Sequence, residues 1–161
     1  MINIRIPINI SDYINENLII ELASDNKHAA LRELITVMAA EDRSIDRRGF
    51  EKAIFDRESL LSTGIGLGIA VPHARLDNLK KFHIALGRSH EGIEYDAIDG
   101  RRVNLVFMIA APESEAEEPG GKNKYLHILS RISEIARNED VRKKILNAQK
   151  LSTIADILRA Y

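Results

Sequence analysis

The first ten residues alternate between isoleucine and other residues, with isoleucine at every even position. An alternation of period two is typical of a half-buried strand. Pro7 cannot donate a hydrogen bond to a neighbouring strand, so residues 1–10 are predicted to form an edge strand or a strand-like N-terminal extension. The apolar residues at 18–22 predict a second strand.

Two segments with helical periodicity follow. Ser24 or Asp25 would cap the first helix, and Asp46 would cap the second, which has Arg57 near its end. The apolar face of the first helix consists of Leu31, Leu34, Ile35 and Met38. The residues predicted to face inward from the second are Phe50, Ile54 and Leu61.

Strand patterns return in the middle of the chain. Residues 83–88 predict a strand, and Asp99-Gly100 before the run at 103–111 is typical of a hairpin. That run is apolar except for Asn104. A nearly continuous apolar run favours a central strand buried on both faces.

Helical patterns dominate the remainder. The acidic, glycine-containing stretch at 113–124 predicts a solvated loop. Helices are then predicted at 125–137, at 141–149 and after Ser152, which would cap the last one. Strands and helices that alternate around one central strand predict a single α/β domain over residues 1–161, with three layers of helices, sheet and helices.

The stretch Thr63-Gly-Ile-Gly-Leu-Gly-Ile-Ala-Val-Pro-His-Ala-Arg75 is the best candidate for a site. Its glycines let the backbone approach another group closely, and the apolar residues at 69–71 predict a short strand. Pro72 should end that strand and present His73 just beyond it, where ligand sites of α/β sheets tend to lie. The alternative is a tight turn beside an inert histidine.

These glycines do not form a nucleotide-binding loop. No lysine follows them, as a P-loop requires. In a dinucleotide fingerprint the third glycine would fall on Ile69, and Pro72 interrupts the helix that should follow.

Composition narrows the function further. The net charge of −1 offers no electrostatic case for binding nucleic acid or an anionic membrane surface. The chain has no cysteine, which excludes disulfides and thiolate chemistry. No apolar run approaches the roughly 20 residues of a membrane span, and no signal peptide is recognisable. The protein is therefore expected to be cytoplasmic, without direct membrane insertion.

Other chemistries find little support. The five histidines lack a metal-binding spacing, so no metal is expected. A serine hydrolase would need a G-x-S-x-G turn, which is missing. His28 and His90 are interpreted as surface residues, and His83 as structural. Arg57 could meet an anion held near His73, although a capping or surface role is the alternative.

Three segments together carry a resemblance to a known family: Arg57-Glu-Ser-Leu-Leu-Ser-Thr63, Gly64-Ile-Gly-Leu-Gly-Ile-Ala-Val-Pro-His73 and Asp96-Ala-Ile-Asp-Gly100. They resemble the fructose/mannitol-type enzyme IIA domains of the bacterial sugar phosphotransferase system, which include the nitrogen-regulatory enzyme IIA proteins. The resemblance implies a mixed β-sheet flanked by helices on both faces.

The resemblance also implies roles for two residues. His73 would be a phosphoryl carrier that accepts from HPr, the histidine phosphocarrier, and donates to an enzyme IIB. Arg57 would face the phosphoryl group. Neutral imidazole is nucleophilic near pH 7, and the transfer asks the protein mainly for positioning and charge stabilisation, without a nucleotide, metal or other cofactor.

The sequence departs from the family pattern at Tyr125. Many members have a second histidine in His-Leu-x-x-Leu-Ser, where this chain has Tyr125-Leu-His-Ile-Leu-Ser130. The second histidine thus falls on Tyr125, a possible neighbour of the site, and His127 is displaced by two positions. Tyrosine keeps a donor hydroxyl but cannot carry positive charge.

Two functions follow from the resemblance. One is a phosphotransferase component of sugar uptake. The other is a regulatory protein whose phosphorylation state controls binding to a kinase, a transporter or another target. Tyr125 slightly favours regulation, and the carrier chemistry is common to both.

Overall fold

The computed structural model describes residues 8–113 and 121–161. Within them, six strands form one sheet: β1 (Ile19–Glu21), β2 (Gly64–Gly66), β3 (Ile69–Ala70), β4 (His73–Leu76), β5 (His83–Ile93) and β6 (Val103–Pro112). Five α-helices accompany the sheet: α1 (Lys27–Glu41), α2 (Arg47–Leu60), α3 (Gly121–Arg137), α4 (Glu139–Asn147) and α5 (Leu151–Leu158). Two 3-10 turns, Ile10–Asp12 and Glu16–Leu18, precede β1.

Strand β6 lies at the centre of the sheet, as its apolar sequence predicts. The order is β1-β5-β6-β3-β2, and β4 also pairs with β6. β5 runs antiparallel to β6, whereas β3 and β4 run parallel to it, so the sheet is mixed. Every residue of β6 except Asn104 is buried. The predicted antiparallel pairing of β5 with β6 is confirmed, with the connection 94–102 between them.

The short strand predicted before Pro72 is confirmed as β3, but His73 does not lie outside the sheet, as the prediction had it, because it begins β4. β3 and β4 pair with β6 at the same offset of 36 positions, so they are two parts of one interrupted strand. Pro72 has no N–H to donate, but its carbonyl still accepts a hydrogen bond from Ile109 N at 2.9 Å. Pairing therefore resumes at once, and His73 is the first residue of β4.

Helices flank the sheet on both faces, which confirms the predicted three-layer architecture. α1 and α2 contact each other and pack on β5 and β4, respectively. α3 contacts α4, α4 contacts α5, and α5 packs against β1. Each large apolar side chain buried between these layers contributes about 1.5–3 kcal/mol relative to exposure.

A buried arginine joins the sheet to the C-terminal helices. Arg88 of β5 is 3% exposed and forms an ion pair with Glu21 of β1. Its guanidinium also donates to the carbonyls of Ile145 and Ala148, each at 2.7 Å, where α4 ends. The last carbonyls of a helix lack partners within the helix, so the arginine both caps α4 and fixes it to the sheet.

One of the three helix caps predicted from the sequence is confirmed. Asp46 caps α2 as predicted, because its side chain accepts from Gly49 N. α1 is capped by Asn26, not by Ser24 or Asp25, and Asn26 accepts from Ala29 N. Ser152 does not cap α5, since it lies inside the helix, which starts at Leu151 without a side-chain cap.

Other predicted boundaries also change. Residues 8–10 are not a strand, because Ile10 begins a 3-10 turn, while residues 1–7 lie outside the described residues. α3 begins at Gly121, earlier than predicted, and residues 114–120 of the predicted loop lie outside the described residues. α4 begins and ends two residues before its prediction. Leu61 is 72% exposed and does not face inward.

None of the helices in the described ranges has the length and apolar character needed to cross a membrane.

Candidate functional site

His73 is held by its own backbone neighbourhood. Its Nδ1 lies 2.9 Å from the carbonyl oxygen of Val71. A carbonyl can only accept, so Nδ1 carries the proton and Nε2 keeps its lone pair. Nε2 makes no hydrogen bond with any described residue. The half-buried ring therefore presents one defined nitrogen as a nucleophile.

Burial lowers the pKa of His73 below its ordinary value of 6.5, because it disfavours the charged imidazolium. The Val71 hydrogen bond and the charge of Glu58 raise the pKa, whereas the charges of Arg57 and Arg75 lower it. The balance favours the neutral, nucleophilic ring near pH 7.

The glycine-rich segment shapes the wall beside His73. It folds as a hairpin of β2 and β3, with positive φ at Gly66 (92°), Leu67 (60°) and Gly68 (77°) at its tip. A Cβ on Gly64 would lie 2.7 Å from the Cα of Ala97, so only glycine allows the loop at 96–98 to pack there. Ile98 N donates to the Gly64 carbonyl at 3.0 Å and fixes this contact.

The hairpin, the loop at 96–98, the end of α2 and one face of α3 enclose a cleft of about 630 Å³ at His73. Most of its lining is apolar. The lining residues are Arg57, Leu61, Ser62, Thr63, Gly64, Ile65, Val71, His73, Asp96, Ala97, Ile98, Leu129, Ile132 and Ser133. The three sequence segments that carry the family resemblance all contribute to this cleft.

Arg57 lies in the last turn of α2 and lines the cleft together with His73. Its Nη1 donates to the carbonyl of Leu61 at 2.8 Å, which orients the guanidinium. Its remaining N–H groups have no partner within residues 8–113 and 121–161 and are available for an anion. A guanidinium can meet a phosphoryl group with two parallel hydrogen bonds.

Tyr125 of α3 also reaches His73. The two ring centroids are 5.8 Å apart, with an edge-to-face angle of 62°. The hydroxyl is buried and has no hydrogen-bond partner among the described residues. Burial raises the pKa of Tyr125 to about 12, so the hydroxyl remains a neutral donor at physiological pH.

A buried polar network behind the cleft was missed by sequence reasoning. The Glu58 carboxylate accepts from Thr63 N at 3.0 Å and Thr63 Oγ1 at 2.6 Å, and it pairs with Lys27 Nζ at 3.0 Å. Tyr95 Oη lies 2.7 Å from Thr63 Oγ1. Burial and the nearby Glu58 charge raise the pKa of Tyr95 well above its ordinary value.

This network supports the position of His73. The Thr63 carbonyl accepts from Val71 N at 2.9 Å, and Val71 in turn binds the His73 ring. Glu58 follows Arg57 directly in sequence, and that adjacency was the only signal available. A buried glutamate needs hydrogen-bond or ionic partners, but the sequence alone does not indicate which residues these are.

The other histidines lie away from this arrangement. His83 is 7% exposed and its Nε2 lies 2.8 Å from Asp42 Oδ2, in agreement with a structural role. His28 and His90 are exposed, and His127 is half-buried. In residues 8–113 and 121–161 no three histidine or acidic side chains come together as a metal site would require.

Exposed apolar side chains surround the cleft. Leu61 (72% exposed), Ile65 (46%) and Ile98 (79%) line it. Leu60 and Leu67, close to Leu61 and Ile65 in sequence, are exposed as well. Exposed apolar side chains grouped around a cleft are typical of a surface that binds another protein.

The fold and the site define a class: an α/β/α domain that presents one histidine nitrogen at an arginine-containing cleft with an apolar rim. The chain belongs to the family "Phosphoenolpyruvate-dependent sugar phosphotransferase system, EIIA 2", which matches residues 12–161. The resemblance inferred from the sequence is thereby confirmed.

Relatives of this chain include fructose-specific components and nitrogen regulatory proteins. The fructose-specific EIIABC component of Bacillus subtilis is 39% identical over 88% of this chain, and the chain spans only 21% of that protein. The fructose-specific EIIA component of Haloferax volcanii is 37% identical over 82% of each chain. A nitrogen regulatory protein of Bradyrhizobium diazoefficiens is 32% identical over 89% of each chain.

Solved structures share the fold. The nitrogen regulatory protein IIA-Ntr of Neisseria meningitidis superposes with a TM-score of 0.78 at 25% identity, over 92% of this chain and 98% of that one. Enzyme IIAMTL in its complex with phosphorylated enzyme IIBMTL from Escherichia coli gives 0.75 at 18% identity, over the same shares. At that identity the second likeness concerns the fold alone.

Proposed function

We propose that the protein is a phosphoryl carrier in which His73 accepts a phosphoryl group from an HPr-type phosphocarrier and passes it to an enzyme IIB. The observation that carries the proposal is the His73 ring itself. Its Nδ1 donates a hydrogen bond to the Val71 carbonyl. Its Nε2 has no hydrogen-bond partner among the described residues, and the ring lines the same cleft as Arg57. Family membership supports the same chemistry.

In the first transfer, the lone pair of His73 Nε2 attacks the phosphorus of the donor's phosphohistidine. The donor's nitrogen–phosphorus bond breaks, and its electron pair returns to the donor imidazole. The proton on His73 Nδ1 stays in place throughout. In the second transfer, the nucleophile of the acceptor attacks the same phosphorus, and the bond to His73 Nε2 breaks.

The protein contributes positioning and charge. The Val71 carbonyl and the negative charge of Glu58 favour the positive charge that the phosphorylated ring carries. Arg57 would meet the equatorial phosphoryl oxygens with the N–H groups that Leu61 does not use. Tyr125, whose ring contacts His73, would contribute a neutral environment in place of a second titrating histidine.

The apolar rim indicates what kind of partner delivers the group. The exposed Leu61, Ile65 and Ile98 would pack against the surface of a protein, which would also exclude water from the transfer. The protein of Escherichia coli with the same fold is in a complex with a phosphorylated enzyme IIB. A protein donor and a protein acceptor, used in turn at one surface, agree with both observations.

The direct test is labelling. Incubation with enzyme I, HPr and labelled phosphoenolpyruvate should give an acid-labile, base-stable label on one residue. His73→Ala should abolish the label. His127→Ala is the matched control, and it should retain the label, as should His83→Ala if the variant is folded. A label that survives in His73→Ala would overturn the assignment.

A regulatory role is the second candidate, because a nitrogen regulatory protein matches this chain at 32% identity over 89% of its length. In that case phospho-His73 would be a signal that changes binding to a kinase, a transporter or another target. The labelled protein should then be mixed with enzyme IIB proteins of the fructose type. Rapid transfer would favour sugar uptake, and a label that no IIB removes would favour regulation. IIB and IIC genes beside this one would also favour uptake.

A further inference from the structure

Arg75 shares a face of the sheet with His73. Both belong to β4 and are separated by one residue, and successive side chains of a strand point to opposite faces. Ala74, between them, is buried, whereas His73 is half-buried and Arg75 is exposed. The strand therefore places a guanidinium beside the reactive imidazole, on the side that solvent and partners can reach.

The Tyr125 ring connects the two side chains. The Arg75 guanidinium carbon lies 5.7 Å from the centroid of the Tyr125 ring, and the His73 ring lies 5.8 Å from it. A cation over an aromatic face at this distance is attracted by the ring. Tyr125 thus holds the Arg75 side chain close to the position of His73.

In the part of the chain that the structure describes, the donors of Arg75 are uncommitted. Among the described residues, its guanidinium forms the contact with Tyr125 but no hydrogen bond and no ion pair. Arg57, on the other element of the cleft, has already committed one donor to the Leu61 carbonyl. The charges of both arginines lower the pKa of His73 and of Tyr125, in agreement with their positions around these rings.

We propose that Arg75 is a second phosphoryl-binding cation of the site, positioned by the ring of Tyr125. This inference rests on the proposed function, since it concerns the phosphoryl group carried by His73. That group brings close to two negative charges, and one guanidinium neutralises only half of them. Arg75 would meet the phosphoryl oxygens that Arg57 does not, and the planar fork of its guanidinium suits them.

The test compares Arg75→Gln with Arg48→Gln, which removes an exposed arginine at the opposite end of α2 from Arg57. Each variant is phosphorylated in two ways, by phospho-HPr and by the small chemical donor phosphoramidate. Phosphohistidine formation is followed by mass spectrometry. Arg75→Gln should be slower by about tenfold in both reactions, Arg75→Lys should recover part of the rate, and Arg48→Gln should match wild type.

A second pair of variants tests the positioning by Tyr125. In a Tyr125→Phe background the ring remains, so Arg75→Gln should still cost about tenfold. In a Tyr125→Leu background the ring is lost, and the same substitution should cost only about twofold. A purely structural role of Arg75 would not produce this dependence on the ring. Equal effects in the two backgrounds would overturn the positioning role of Tyr125.

The outcomes separate this inference from the proposed function. Equal rates for Arg75→Gln and Arg48→Gln, with His73 labelled in both, would overturn the role of Arg75 alone. If phospho-HPr fails to label wild type but phosphoramidate labels His73 in an Arg75-dependent way, the carrier function fails and the anion site stands. If neither donor phosphorylates His73, both the carrier function and the role of Arg75 are overturned.

Discussion

Two histidines begin strands on opposite edges of β6. His73 opens β4 and pairs with Ile109, and His83 opens β5 and pairs with Ala110. Both histidines therefore lie next to the same central strand, although β4 runs parallel to β6 and β5 antiparallel, and their partners in β6 are adjacent residues that face opposite sides of the sheet. Their side chains nevertheless differ in every property that matters for reactivity.

The two histidines differ in which ring nitrogen forms a hydrogen bond and in the group that it contacts. His83 directs Nε2 to the Asp42 carboxylate and is almost fully buried, so this nitrogen is committed to a structural contact. His73 directs Nδ1 to a backbone carbonyl of its own segment, which leaves Nε2 at the cleft. The comparison teaches that a place beside the central strand does not fix the chemistry open to a histidine, which depends on the face of the sheet, the burial of the ring and its hydrogen-bond partner.

The largest expected effect is on the rate of His73 phosphorylation when Arg57, which lines the cleft with His73 and not with His83, is removed. Arg57→Ala should slow phosphorylation of His73 by about 1–3 kcal/mol of barrier, the range of charge-assisted hydrogen bonds. Lysine at this position should restore only part of the rate, because it lacks the fork. The rate of labelling by phospho-HPr is the measurement, with thermal unfolding as a control for folding. If Arg57→Ala is labelled at the wild-type rate, the arginine has no role in the transfer.

The Asp42 carboxylate, which accepts hydrogen bonds from Ser44 and contacts His83, should matter for stability and leave labelling intact. Hydrogen bonds from Ser44, together with His83, lower the pKa of Asp42 from 3.8 to about 2. A carboxylate whose pKa is lowered by folding stabilises the fold at pH values above the pKa that it has in the unfolded chain. This contribution is lost as the pH falls through the pKa of the folded state. Asp42→Asn should therefore lower the free energy of unfolding by about 1–2 kcal/mol at pH 6.

The same variant has a pH signature. The stability difference between wild type and Asp42→Asn should shrink as the pH falls from about 4 to about 2, which urea unfolding at several pH values would measure. Phosphorylation of His73 at pH 7 should be unchanged. A stability difference that does not vary with pH would argue against a stabilising charge on Asp42, and slower phosphorylation would mean that the two regions are coupled.

The smallest effect is expected at Tyr125. Because the pKa of Tyr125 is raised to about 12, it does not titrate between pH 5 and 8, and the rate of His73 phosphorylation should report one histidine. The rate should fall as the pH drops through the lowered pKa of His73, since protonation removes the lone pair of Nε2. Tyr125→His should add a second titration, and Tyr125→Phe should slow transfer only a few-fold.

Three rate-versus-pH curves with the same HPr would decide the point: wild type, Tyr125→His and Tyr125→Phe. The 5.8 Å separation of the rings places a histidine at 125 close enough to couple with His73. Superimposable curves for wild type and Tyr125→His would mean that position 125 does not influence the reacting ring.

Local sequence was sufficient for the central strand and for the start of α2, and it singled out the candidate site residue. The apolar run at 103–111 predicted the central strand, and Asp46 predicted the start of α2, because strand burial and helix capping depend on nearby residues. The glycine-rich segment before Pro72 singled out His73. The resemblance then added Arg57 and Tyr125, and these side chains do lie around the same ring or cleft.

Only the tertiary structure decided how these parts meet. The position of His73 within β4 depends on pairing with a strand 36 residues later, and the network of Glu58 depends on Lys27 and Tyr95, which are distant in sequence. The contact that places Arg75 on Tyr125 joins a strand and a helix that are 50 positions apart. Such contacts follow from packing the helices on the sheet, so neither periodicity nor capping signals, which act within a few residues, could reveal them.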